Sequence, residues 1–107
     1  MKFSASEIRR RFDVLRVVFP SDAMYRVAKL LVRELKRYGE LPDFAHVPDI
    51  YGVPKSTTYY VLREMLRLGM IERTDGGYRL SREFSNALIR IARAWTRLIS
   101  DAKHGDE

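Results

Sequence analysis

Between Lys55 and Arg67 the chain sets out Lys55, Ser56, Thr57, Tyr59, Tyr60, Arg63 and Arg67. After Lys55, hydroxyls come first and arginines follow. Short hydroxyl side chains let a helix approach base edges closely. An arginine can pair bidentately with guanine or phosphate, and tyrosine hydroxyls reach phosphate oxygens. At helical periodicity Ser56, Tyr60, Arg63 and Arg67 fall on one face, with Lys55, Thr57 and Tyr59 at its edge. Thr58, Leu62 and Met65 fall opposite, where with Leu66 and Leu68 they can lock the helix to a core. A major groove about 12 Å wide accepts one such helix. The same pattern also describes an amphipathic helix with a merely solvated polar side. Further on, Arg73 and Arg79 flank Asp75-Gly76-Gly77. They can grip phosphate or a minor groove, or pair across a hairpin with Glu72 or Asp75.

Other chemistry finds little support. His46 and His104 stand far apart with no cysteine beside them, so no metal site is expected. No glycine-rich phosphate loop follows a strand, and nothing resembles an activated nucleophile. Asp43 and Asp49 read as turn caps rather than an acid pair. No catalytic residue and no cofactor is therefore expected, and the chain does not read as an enzyme. Tyr25, Tyr51 and Trp95 could line an effector pocket, although core packing explains them more simply.

The elements that must position the polar face can be read from periodicity and punctuation. Ser4 and Glu7 form a candidate capping box for a helix over 4–20, carrying Ile8, Phe12, Leu15 and Phe19 and ended by Pro20. Ser21 or Asp22 caps a second helix with Met24, Val27, Leu31 and Leu35 on its buried stripe, ending at Gly39. Arg26, Lys29, Arg33, Lys36 and Arg37 cover its other faces. Residues 40–52 hold Glu40, Asp43 and Asp49 and no Lys or Arg. With Pro48 inside, they predict a short or broken helix near 43–51 and a turn at Gly52. A third full helix is predicted over 54–68, with proline in its first turn and Gly69 at its end. Strands at 70–74 and 78–80 follow, joined by a tight turn. Ser81 caps a last helix over 82–102, and residues 103–107 read as frayed.

The run Gly52-Val53-Pro54-Lys55-Ser56-Thr57-Thr58-Tyr59-Tyr60-Val61-Leu62 resembles the turn and recognition helix of winged helix-turn-helix regulators. Leu68-Gly69-Met70-Ile71-Glu72-Arg73 is similar to the helix end and first wing strand of that family. Asp75-Gly76-Gly77-Tyr78-Arg79-Leu80-Ser81 is similar to its wing tip and return strand. The resemblance spans residues 22–81 and implies a mainly α fold with a small β-hairpin wing. Two departures stand out: Pro54 replaces the usual capping serine, and Pro48 interrupts the first helix of the motif.

The last helix carries Phe84, Leu88, Ile91, Trp95 and Leu98 in a heptad seam, widened by Ile89, Ala92 and Ile99. The first helix of a monomer could cover part of it. The family resemblance implies instead that helices outside the motif join two copies. Arg90, Arg93 and Arg97 lie on the other side as a solvated face.

Composition bounds the partner. The chain has 107 residues and a net charge of +6. A sequence pI of about 9.9 favours an anionic partner through counterion release. One domain is expected, with N-terminal helix 4–20, winged-helix core 22–81 and dimerisation helix 82–102. There is no cysteine, no glutamine and a single Asn, Asn86, a depletion of heat-labile residues that points to a hot habitat; the family resemblance carries the expectation of an archaeal source. No signal peptide or membrane span is legible, so a cytoplasmic location is expected. These features together lead to the expectation of a homodimeric regulator of transcription bound to double-stranded DNA. The competing expectation is a winged-helix protein-interaction subunit of a transcription or replication assembly.

Overall fold

The computed structural model describes residues 4–6 and 12–105, with side chains as far as Asp101. It is mainly helical with one antiparallel hairpin: α1 (Val14–Val18), α2 (Asp22–Tyr38), α3 (His46–Tyr51), α4 (Lys55–Arg67), β1 (Ile71–Thr74), β2 (Gly77–Leu80) and α5 (Glu83–Gly105). Among the described residues no helix is long and apolar enough to cross a membrane.

The predicted helix over 4–20 is corrected at its centre. Residues 5 and 6 are helical, but Phe12 and Asp13 are not. Asp13 takes an extended conformation and caps α1, its carboxylate accepting from the Arg16 N–H. A residue in the β region cannot continue the preceding turn, so α1 is a separate short helix. The rest of that predicted helix, with Glu7, Ile8 and Arg9 to Arg11, lies outside the described residues.

α2 is the central support. Ser21 caps it by accepting from the Met24 N–H at 3.2 Å. Asp22 in the first turn and Lys36 and Arg37 in the last complement the helix dipole. Val27, Ala28, Leu30, Leu31 and Leu35 are buried, and Gly39 closes the helix with φ 80°.

One polar side chain joins this apolar face. Glu34 is only 4% exposed. Its Oε1 lies 2.7 Å from His46 Nε2, and its Oε2 accepts from the Tyr51 hydroxyl at 2.9 Å. The carboxylate thus ties α2 to both ends of α3. The hydrogen bond from His46 outweighs burial and holds the Glu34 carboxyl below its ordinary value of 4.5. A lowered folded-state value means stability that is present above the unfolded value and lost as pH falls through the folded one. Glu34→Gln is therefore expected to cost about 1–3 kcal/mol at neutral pH. It should also flatten the acid limb, so that wild type and variant converge below pH 4.5. Urea midpoints measured across that range check both parts; parallel pH profiles would show that folding does not lower the Glu34 pKa.

Pro48, predicted to interrupt α3, instead sits in its first turn. The first backbone N–H groups of a helix have no intrahelical acceptor, so the missing donor costs nothing there. Gly52 ends α3 in the left-handed region at φ 65° and ψ 36°.

β1 and β2 pair in the register Ile71–Leu80, Glu72–Arg79, Arg73–Tyr78 and Thr74–Gly77. Leu41 adds a single bridge on the far side of β2: its N–H donates to the Tyr78 carbonyl at 3.0 Å, and the Tyr78 N–H donates back at 2.8 Å. Phe44, fully buried, then packs against the Tyr78 ring with centroids 5.5 Å apart. The linker after α2 is therefore stitched to the hairpin. The buried core gathers Val27, Leu31, Leu35, Val47, Val61, Met65 and Ile71 from α2, α3, α4 and β1, with Phe19 and Phe44 from the links on either side of α2.

α5 begins where the Ser81 hydroxyl accepts from the Glu83 N–H at 3.1 Å. The Phe84 N–H donates to the Gly69 carbonyl at 2.9 Å, which seats Phe84 against the core. Beyond Ala87 every described residue of α5 is exposed. The helix continues to Gly105, past the predicted end at 102, because no breaker intervenes.

Candidate nucleic-acid interface

α4 forms although Ser56-Thr57-Thr58-Tyr59-Tyr60 is a run of weak helix formers. Tertiary burial decides the outcome. Thr58, Val61, Leu62 and Met65 recur at helical spacing and are all buried. Pro54 stands as an extended N-cap without a side-chain cap, and its carbonyl accepts both the Thr58 N–H at 3.1 Å and the Thr58 hydroxyl at 3.0 Å. The threonine thus satisfies its own polar atom while packing as part of the core.

With that face anchored, Lys55, Ser56, Tyr60, Arg63 and Arg67 are exposed on the other. Thr57 and Tyr59 are half-buried, and the Tyr59 ring packs against the core at the flank of the helix. Arg63 makes no ion pair or hydrogen bond with any described residue. Arg67 differs. Its guanidinium holds Glu64 through Nε at 3.3 Å and Nη2 at 2.8 Å, one turn back on the same helix. This hydrogen bond lowers the Glu64 pKa and raises that of Arg67. A phosphate must compete with a ready-made partner at Arg67 but not at Arg63. Ser56, Thr57, Tyr60 and Arg63 also line a shallow hollow of about 590 Å³ shared with Ser21, Ala23 and Met24 at the start of α2.

The hairpin cations are similarly unequal. Arg79 lies directly across from Glu72 and its Nε bonds that carboxylate, which lowers the Glu72 pKa. The cross-strand alternative is therefore the one realised for Arg79. Arg73 instead lies over the Tyr78 ring, 5.9 Å from its centroid. An exposed ion pair contributes about 0–1 kcal/mol, so Arg79 stays exchangeable toward a stronger anion. The turn itself is acidic. Asp75 is exposed there, and Glu40 accepts a short hydrogen bond from the Thr74 hydroxyl and sits under Gly76. The charge available to phosphate thus lies on the strands, not at the tip. Glu40's position was not legible in the sequence, since a single bridge at Leu41 leaves no periodicity to read.

The assembly residues separate into two groups. Phe84, expected in the dimer seam, belongs in part to the monomer core. Leu88, Ile91, Trp95 and Leu98 remain exposed together with Ile89 and Ile99, and no described part of the chain covers them.

No curated protein and no solved structure matches the chain significantly. A family signature does match, over residues 10–101, which takes in α1 to α4, the hairpin and most of α5. The chain accordingly belongs to an archaeal family.

Proposed function

We propose that the protein is a winged helix-turn-helix regulator of transcription that binds double-stranded DNA as a homodimer. In this reading α3 and α4 are the helix-turn-helix, α4 enters the major groove, and the hairpin is the wing on the backbone or minor groove. The observation that carries it is the exposed row Ser56, Tyr60 and Arg63 on a helix whose other face is wholly buried. Rigid anchoring and a guanidinium that no described residue hydrogen-bonds are what base readout requires. The reading assigns no catalytic residue, metal or cofactor. Selection of bound sequences from a random duplex pool tests it; a pool that stays random would sink it.

A bidentate Arg63–guanine contact makes Arg63→Ala cost about 1–3 kcal/mol, or roughly tenfold to a hundredfold in affinity. The loss should fall at one base position. Unchanged affinity and unchanged preference would remove Arg63 from the readout.

The exposed apolar face of α5 favours a second reading, a protein-interaction subunit of a transcription or replication assembly. Duplex binding that steepens as salt falls separates the two.

A further inference from the structure

We propose that the outer face of α2 is a second binding surface for duplex DNA, one that grips the phosphate backbone without reading sequence. It shares the DNA partner proposed above but is independent of base readout by α4.

Arg26, Lys29, Arg33 and Lys36 recur along α2 opposite its buried stripe. Together with Tyr51 and Leu15 they line an open groove of about 620 Å³. Among the described residues none of these four cations makes an ion pair. A solvated helix face usually intersperses carboxylates, as Glu64 and Arg67 do on α4. Here Lys29 and Arg33 stand four residues apart and Arg33 and Lys36 three apart. Those spacings bring like charges together and weaken the helix.

Three of the four side chains are also held in place. Arg26 donates to the Tyr51 carbonyl at 3.1 Å, Arg33 lies over the Tyr51 ring at 5.6 Å, and Lys29 lies over the Tyr25 ring at 4.6 Å. Carbonyl and ring contacts orient a cation without neutralising it, so the charge remains available to an anion. From Arg26 to Lys36 the stripe spans about 15 Å of helix axis. One strand of a duplex carries about four phosphates over that length. Charge count and length therefore match a nucleic-acid backbone, whereas an isolated anion would use one or two of the four.

The two faces point to different sides of the domain. α2 and α4 pack through their buried stripes, so the stripe on α2 and the polar face of α4 both turn away from that contact. Duplex DNA is stiff over such distances. The α2 surface thus takes a segment of duplex other than the one at α4.

The test compares binding to a random-sequence duplex across a salt series. The variants are Lys29→Gln/Arg33→Gln/Lys36→Gln, the charge-keeping Lys29→Arg/Lys36→Arg, and Ser56→Ala/Arg63→Ala in α4. The triple variant should lower the log–log salt slope by about 3 and leave selected base preference intact. The charge-keeping variant should retain the wild-type slope, and the α4 variant should lose preference alone. A folded triple variant with the wild-type slope overturns the proposal. So does wild-type protein that binds only RNA or no nucleic acid at all. If the triple variant loses the slope while wild type selects no base sequence, the α2 surface stands and base readout by α4 falls.

Discussion

Trp95→Ala should convert a dimer into monomers and abolish cooperative binding to paired half-sites, while binding to a single half-site persists. α5 is a 23-residue helix that, among the described residues, is anchored to the body only near Phe84. Ile91 is 65% exposed and Trp95 61% exposed in one chain, in line with Leu88 and Leu98. Ile89 and Ile99 extend this apolar face, and Arg90, Arg93 and Arg97 occupy the opposite side. An isolated helix is marginal in water, and a row of this kind is stable only when another surface covers it. A second copy offers the same row under two-fold symmetry. A central tryptophan in such an interface contributes at least about 2 kcal/mol on truncation. Two copies lose it at once, so the dimer dissociation constant should rise on the order of a thousandfold. A two-fold pair would set the α4 helices about 34–36 Å apart and favour a palindromic site. Sedimentation should show wild-type dimers and Trp95→Ala monomers at the same concentration, with matching circular dichroism from the central body. Wild-type monomers at tens of micromolar would leave α5 for a different partner.

Much of this arrangement was legible because its signals are local. Pro54 and Gly69 bracket α4, Ser21 and Gly39 bracket α2, and Asp75-Gly76 forces a hairpin between two short apolar runs. The phase of α4 fixed which of its side chains face outward, since Thr58 and Met65 can share only one side. What was misread at Asp13 and missed at Leu41 and Glu34 shares a cause: the deciding contact is distant or singular. Phe12, Leu15 and Phe19 keep helical spacing through the break at Asp13, so periodicity hides the cap that ends the run. Leu41 makes one bridge, and one residue has no period. Glu34 sits between Arg33 and Leu35 and looks like surface. Its distance of three from Leu31 and seven from Val27 nevertheless placed it on the buried stripe, and His46 and Tyr51 were there to satisfy it. In the candidate interface the outward set was readable. Which cations were already engaged was not, except for Arg79, whose pairing with Glu72 follows from hairpin register. Capture of Arg67 by Glu64 also had a signal, their separation of three residues on one helix.

Gly77→Ala should be among the most damaging single substitutions in the body of the protein, and Gly52→Ala a mild one. Both glycines have positive φ, but 65° at Gly52 lies in the left-handed well that an alanine can enter, whereas 132° at Gly77 lies outside it. Space separates them further. A Cβ at Gly52 would meet nothing within 4 Å. At Gly77 it would lie 2.1 Å from the Leu41 carbonyl oxygen and 2.5 Å from the Pro42 Cα. Both obstacles are backbone, so no side chain can swing aside. Either the hairpin moves away from Leu41, breaking its paired hydrogen bonds with Tyr78 and opening the Phe44–Tyr78 contact, or the linker after α2 shifts as a unit. An alanine in the left-handed region costs about 1–2 kcal/mol, which is the whole expected effect at Gly52. At Gly77 steric overlap adds about 1–3 kcal/mol to a strain of similar size, for a total of about 3 kcal/mol or more. For a domain of this length each kcal/mol lowers the melting temperature by roughly 4–8 °C. At about 4 °C per kcal/mol, Gly77→Ala should therefore melt about 12 °C or more below wild type and Gly52→Ala about 4–8 °C below it. Hydrogen exchange should show where the loss begins, with the Leu41 and Tyr78 amides unprotected first in Gly77→Ala. Equal melting temperatures for the two variants would mean that the Leu41 bridge does not hold the hairpin in solution.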